Sequence, residues 1–358
     1  MCQKTRTGLS GREAGPRLCV YLGGILMHMA DALVAPAVAG VMYVASTAAA
    51  ARSVHQVRLE NDPKKIPVMG IMGAFVFAAQ MINFTIPGTG SSGHLAGGMM
   101  LSALLGPHAG FLTMICVLVI QCLFFADGGL LALGCNVWNM AFYGCFVGAL
   151  LIWKPIMSKG VTKGRIIAAS LIGCILTLEM GAFSVVLETK ISGITSLPFG
   201  VFAGAMLPIH LAIGFVEGLI TAAVLCFVHE ARPELLWGVP ENAKTAGAGK
   251  FSFKKTLAIL AICAIVIAGG LSLIASSFPD GLEWSIERLT GSTEIEATGG
   301  VYDTAGGIQE STSFLPDYNL PDGESAAGTS LSGIVGALMV VVLAGGGAAL
   351  FRFFKHRE

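Results

Sequence analysis

The chain has 358 residues, of which 54% are hydrophobic and only 12% charged. A soluble domain carries about 25% charged residues, and the mean hydropathy here is +0.75, so the composition excludes an ordinary soluble globule and reads as an all-α, polytopic transmembrane helical bundle. The formal net charge is zero, which indicates no nucleic-acid partner, since such partners select a basic surface.

Residues 1–26 carry Lys4, Arg6, Arg12 and Arg17, then a short apolar run from Leu18 to Leu26. A basic start before a short apolar core fits a signal peptide, but Gly24 and Leu26 make a poor cleavage site. Two other readings stand beside it: translation from Met27, which is favoured, and a retained extension.

A spanning helix needs about 20 apolar residues. Candidate spans are 33–51, 67–85, 95–106, 109–126, 130–152, 166–187 and 198–228, followed by 257–275 and 330–350. This gives about seven helices and a C-terminal two-helix membrane module. The span 95–106 is short and Gly-rich, and reads as broken or only partly spanning.

Lys and Arg mark cytoplasmic loops. The clusters are Arg52/Arg58/Lys64/Lys65, Lys154/Lys159/Lys163/Arg165, Arg232/Lys244/Lys250/Lys254/Lys255 and Arg352/Lys355/Arg357. With all four cytoplasmic the spans alternate consistently. Residue 27, the Pro87–His94 loop and the Asp127–Gly129 turn then lie outside, and the C-terminus inside. The polar segment 230–256, with Pro233 and Pro240, reads as a cytoplasmic linker between residues 27–229 and 257–358. The external loop 276–329 sets ten Asp and Glu against Arg288 alone. Such a loop concentrates cations, although its Gly, Ser, Thr and acid content reads mainly as a solvated tether.

Two histidines stand out, His28 and His94. If Met27 begins the polypeptide, its amine, the His28 amide nitrogen and the His28 imidazole wrap one ion in fused chelate rings. His94 supplies a fourth nitrogen, and four nitrogens in a square suit Ni(II) or Cu(II), while nitrogen donors also suit Co(II). The stretch Asn83–His94 is dense in Gly, Pro and hydroxyls, which implies a tight shaped loop. Asp31, Asn83 and Ser92 are candidate outer partners that orient a metal-binding imidazole. The bland alternative makes His94 a polar cap on the next helix.

No GxxxxGK[ST], HExxH or GxSxG motif occurs, so neither ATP-phosphate binding nor a familiar catalytic site is indicated. Asp127, Glu179, Glu188, His210 and Glu217 lie in or near apolar spans, where ionisable groups are costly and face the protein interior. His210 and Glu217 share one helix face and read as a buried network or a cation path. His55, His108 and His229 fall on the cytoplasmic side. Gly200/Gly204 and Ala45/Ala49 have the spacing that permits close helix contact. The nine cysteines form no CxxC pair and, like Met69, Met72, Met81, Met99 and Met100, read as packing.

Four blocks resemble the CbiM/NikM family, the substrate-capture membrane components of energy-coupling-factor (ECF) transporters for cobalt and nickel. They are MHMADALVAPAVAG from Met27, FVFAAQMINF with GTGSSGHLAGG (Phe75–Gly98), FFADGGLLALGCNVWNMAFYG (Phe124–Gly144) and LPIHLAIGFVEGLIT (Leu207–Thr221). SSFPDGLEWSIE (Ser276–Glu287) is similar to the PDGLE signature of the small companion subunit, here fused. The resemblance implies a metal site at Met27, His28 and His94. It also implies a transmembrane coupling subunit and cytoplasmic ATP-binding subunits as partners in the cytoplasmic membrane, and no resident cofactor. The companion loop near Pro279–Glu283 is expected to dock by the metal loop and assist loading. Met29–Leu33 departs from the Ile-Pro-Asp-Gly form of nickel proteins and leaves Ni²⁺ against Co²⁺ open. The rival readings are a self-sufficient secondary transporter or channel, and a membrane metalloenzyme. Four nitrogens in a plane leave no position for a catalytic water, which weighs against the enzyme.

Overall fold

The computed structural model describes residues 28–57, 63–240, 249–293, 295, 297–320 and 325–355. Met27 and the segment 1–26 lie outside the described residues.

The N-terminal domain opens with α1 (Pro36–Gln56) and α2 (Lys65–Gln80). A two-stranded hairpin follows, β1 (Phe84–Ile86) against β2 (Ser91–Gly93), with Thr85 opposite Ser92. Then come α3 (Gly98–Leu105), α4 (Pro107–Phe125), α5 (Leu133–Met157), α6 (Lys163–Ser192) and α7 (Phe199–Ala231). The C-terminal module supplies α8 (Phe253–Gly269), two short helices α9 (Gly281–Thr290) and α10 (Val301–Thr312), and α11 (Ala326–Phe354). Among the described residues six helices are long and apolar enough to cross a membrane, and α2 is a shorter apolar helix.

The short third span is half a helix. At about 1.5 Å per residue, the eight residues of α3 cover only about 12 Å, whereas the nineteen of α4 cover about 28 Å. The chain between α2 and α3 therefore descends into the bundle before α3 begins. Bare backbone at that depth needs partners, and Glu217 on α7 provides them: its carboxylate accepts from the Ala96 and Gly97 amides at 3.2 and 2.9 Å. At the other end of α3, His108 lies 3.3 Å from the Ser53 hydroxyl.

Lipid tails are as apolar as leucine, so close backbone approach, not water exclusion, holds such helices together. A Cβ on Gly98 would stand 2.7 Å from the Met140 carbonyl, and one on Gly144 2.8 Å from the Gly98 Cα. The tight α6–α7 crossing uses Gly214 and Gly218, against Ile175 and Leu171. A Cβ on Gly200 or Gly204 would meet nothing within 4 Å among the described residues, so there that spacing is not used for close helix contact. The lipid side of α6 and α7 exposes Ile172, Leu176, Val201, Leu211 and Leu219. Met69, Met72, Met81, Met99 and Met100 are all core residues, as their apolar setting suggested.

The module is built into this bundle. Gly70 of α2 packs on Val341 and Gly345, and Phe77 fills the notch at Gly336. Leu257, Leu260, Ala264, Val340 and Tyr318 belong to the same core as Phe77 and Met72. The external loop also differs from a solvated tether. Asp280 and Glu283 form a capping box on α9, and that helix buries Leu282 and Ile286 among Met29, Val185 and Met206. The acidic composition concealed a few apolar anchors at helical spacing, and these fold the loop back onto the N-terminal domain.

Candidate metal centre

Two external turns and the descending loop bring the sequence's two histidines together. His28 is 4% exposed, and its Nδ1 lies 2.7 Å from Asp127 Oδ1. An ionised carboxylate only accepts, so Nδ1 carries the proton. The buried Nε2 has no hydrogen-bond partner. Asp127 is in turn fixed by Tyr318, whose hydroxyl donates to Oδ2 at 2.6 Å. Tyr318 stacks on Phe125 with ring centroids 4.9 Å apart. Burial pushes the Asp127 carboxyl up, but His28, Tyr318 and His94 more than reverse this and hold it below the usual carboxylate range.

His94 enters from the hairpin. Its ring centroid is 5.5 Å from that of His28. Nδ1 donates to the Leu95 carbonyl at 3.2 Å, and Nε2 stands 3.7 Å from Asp280 Oδ2. Both imidazoles thus have a carboxylate neighbour, and the companion module contributes one of the two. Burial alone pushes the His94 imidazole down, but Asp280, the Leu95 carbonyl and Asp127 raise it to about 9. A raised histidine stabilises the fold fully below its unfolded value near 6.5, and that contribution is lost as pH rises through about 9. The expected outcome is a His94 imidazole still charged at pH 8, seen by histidine-labelled NMR, with its titration moved down by Asp280→Asn. A metal must displace that proton, so affinity for the ion rises with pH up to about 9.

His28, His94, His210 and Asp280 face one cavity of about 80 Å³. A single water needs roughly 10–15 Å³ by this measure, so the space suits an ion together with part of its hydration shell. Among the described residues no three His, Cys, Asp or Glu side chains already stand at metal-holding distances. The fused chelate expected from the sequence requires His28 Nδ1, the nitrogen that closes a six-membered ring with its own amide nitrogen, and here Nδ1 faces Asp127; closing such a chelate would take a half-turn about Cβ–Cγ that exchanges Asp127 for the ion.

The three other candidates serve the scaffold. Asp31 Oδ1 accepts from the Ala132 amide at 2.9 Å and ties the segment after His28 to the Asp127 turn. Ser92 donates through its hydroxyl to the Phe278 carbonyl at 2.7 Å and through its amide to the Pro279 carbonyl at 2.8 Å. Asn83 uses its backbone oxygen, which accepts from the Ser276 amide at 2.6 Å. None of the three hydrogen-bonds an imidazole; Ser92 and Asn83 instead dock the companion loop, where Trp284 adds a bond to the Thr89 carbonyl at 3.1 Å. Asp127 and Asp280 instead face the imidazole nitrogens directly, and Tyr318 holds Asp127. Asp127 was recognisable as an ionisable residue on the same face; Tyr318, 191 positions from it, gave no local signal. Of the His210/Glu217 pair, Glu217 caps α3 and His210 reaches the cavity.

These observations define a polytopic membrane protein with a histidine-lined cavity. The family model for the cobalt uptake substrate-specific transmembrane region, CbiM, matches residues 28–235, and the PDGLE domain model matches residues 254–353. The chain belongs to the CbiM family, fused to a companion module, and is a transport component and not an enzyme. It is 34% identical to a chain of Archaeoglobus fulgidus assigned as a fused nickel transport protein, over 92% of this chain and 99% of that one. It is 28% identical to the fused nickel transport protein NikMN of Rhodobacter capsulatus, over 90% and 98% of the two chains. A crystal structure of a transition metal transporter superposes with TM-score 0.51 at 30% identity, covering 58% of this chain and 94% of that one.

Proposed function

We propose that this chain captures Ni²⁺ or Co²⁺ from outside the cytoplasmic membrane as the substrate-binding component of an ECF-type transporter. The ion is held by the His28 and His94 imidazoles, and by the Met27 amine and His28 amide nitrogen where Met27 is the mature N-terminus. The observation that carries this reading is the pair of buried imidazoles 5.5 Å apart over one cavity, each with its own carboxylate neighbour. The basic clusters support an orientation with residue 27 outside and the C-terminus inside. The sequence has no GxxxxGK[ST] motif, so release inward depends on cytoplasmic ATP-binding subunits and a transmembrane coupling subunit.

A self-sufficient secondary transporter or channel is the alternative. Its support is the intramembrane set Glu179, His210 and Glu217, of which Glu217 is committed to two backbone amides. Vesicles carrying the purified chain alone separate the two readings. The expected result is saturable Ni²⁺ or Co²⁺ binding at the external face with no flux, and flux only when coupling and ATP-binding subunits are added with ATP. Flux down a gradient from the chain alone would establish the alternative.

A further inference from the structure

We infer that Asp280 and His210 form, with His94, a second cation position in the same cavity, through which a hydrated divalent metal passes on its way to His28. This rests on the proposed capture function and adds a site to it. Asp280 is 3% exposed, and its two oxygens have different tasks. Oδ1 accepts from the Leu282 and Glu283 amides at 2.8 and 2.9 Å. Oδ2 faces His94 Nε2 across 3.7 Å, too far for a hydrogen bond. One ion about 2.1 Å from each of two donors sets them ~3.4 Å apart at a tetrahedral angle and ~3.0 Å apart at a right angle. The gap is therefore a few tenths of an ångström wider than a shared ion requires.

His210 completes the position from α7. Its Nδ1 donates to the Met206 carbonyl at 2.7 Å, which fixes the tautomer and leaves the Nε2 lone pair for a ligand. The ring lies over Gly281, next in sequence to Asp280, where a Cβ would come within 2.9 Å of the imidazole Cε1 and 3.3 Å of Nε2. Only a residue without a side chain lets α9 start this close to His210. The PDGLE turn thus sets a carboxylate and a bare backbone against two imidazoles. Few protein donors and room for water make the position weak, which suits a place the ion must leave. It also allows hydration water to be shed in stages.

The test is Co²⁺ loading of the purified full chain, followed by its visible spectrum at equilibrium and in stopped flow. Asp280→Asn keeps a residue that caps α9 well while removing the charge; His210→Gln is the second variant. In each, the loading rate is expected to fall at least tenfold, and in His210→Gln the equilibrium Kd of the tight ion is expected to change less than threefold. His28→Ala is expected to lose the tight ion and to keep a weak one that Asp280→Asn then removes. Unchanged loading in both variants would overturn the second position, and so would a His210→Gln Kd that rises in step with the slowed loading, because His210 would then belong to the final site. If His28→Ala instead binds as tightly as the parent, the capture site itself is misplaced, an outcome independent of the Asp280 and His210 rates.

Discussion

Replacing His94 or His28 by alanine is expected to raise the Kd for Ni²⁺ or Co²⁺ at least about a hundredfold. Loss of an outer partner alone typically costs 10–100-fold, and these residues supply the coordinating nitrogens in the proposed site. The fold should survive either change. His94 gives up one bond to the adjacent Leu95 carbonyl and its pairing with Asp280, and the hairpin stays anchored through Ser92 and Trp284. Titration of detergent-purified variants by calorimetry checks this, with gel filtration confirming the folded state. Affinity within a few-fold of the parent in both variants would refute the assignment.

The second large effect concerns Glu217, which touches no ion. Glu217→Ala leaves the Ala96 and Gly97 amides unpaired inside the bundle. Each orphaned donor costs about 1–3 kcal/mol, so a loss of roughly 2–5 kcal/mol is expected, read as a lower unfolding midpoint. Metal affinity should fall with it, because these amides hold the segment that follows His94. Glu217→Gln keeps an acceptor and should recover much of both losses. A Glu217→Ala protein that is as stable as the parent but no longer transports would instead revive a place for this acid on an ion path.

Much of the architecture was legible because a bilayer imposes strict lengths and polarity. The apolar runs predicted at 33–51, 166–187 and 198–228 became Pro36–Gln56, Lys163–Ser192 and Phe199–Ala231, and the short run 95–106 became half a helix. That His28 and His94 share one end of the bundle was legible as well, since both lie at edges of apolar segments, and their ring centroids are 5.5 Å apart. What surrounds them was not. The choice of Asp127 and Asp280 over Ser92 and Asn83 is made by through-space geometry, across sequence separations of 99 and 186 residues. Composition likewise misled in the acidic loop, where Leu282, Ile286 and Tyr318 outweigh many solvated charges because they are placed where the capture domain has room for them.

The sharing of one core between the two domains has a consequence for cooperativity. Phe77 in the notch at Gly336, Val341 against Gly70 and Tyr318 between Phe125 and Asp127 are contacts that neither part makes alone. A peptide chain that joins two independent globules confers proximity and little else. Here the module that forms one wall of the cavity also packs against the helix preceding the metal loop, so loosening either part exposes the packed face of the other. The two domains are therefore expected to unfold together, which would tie the integrity of the histidine-lined cavity to helix packing elsewhere in the bundle.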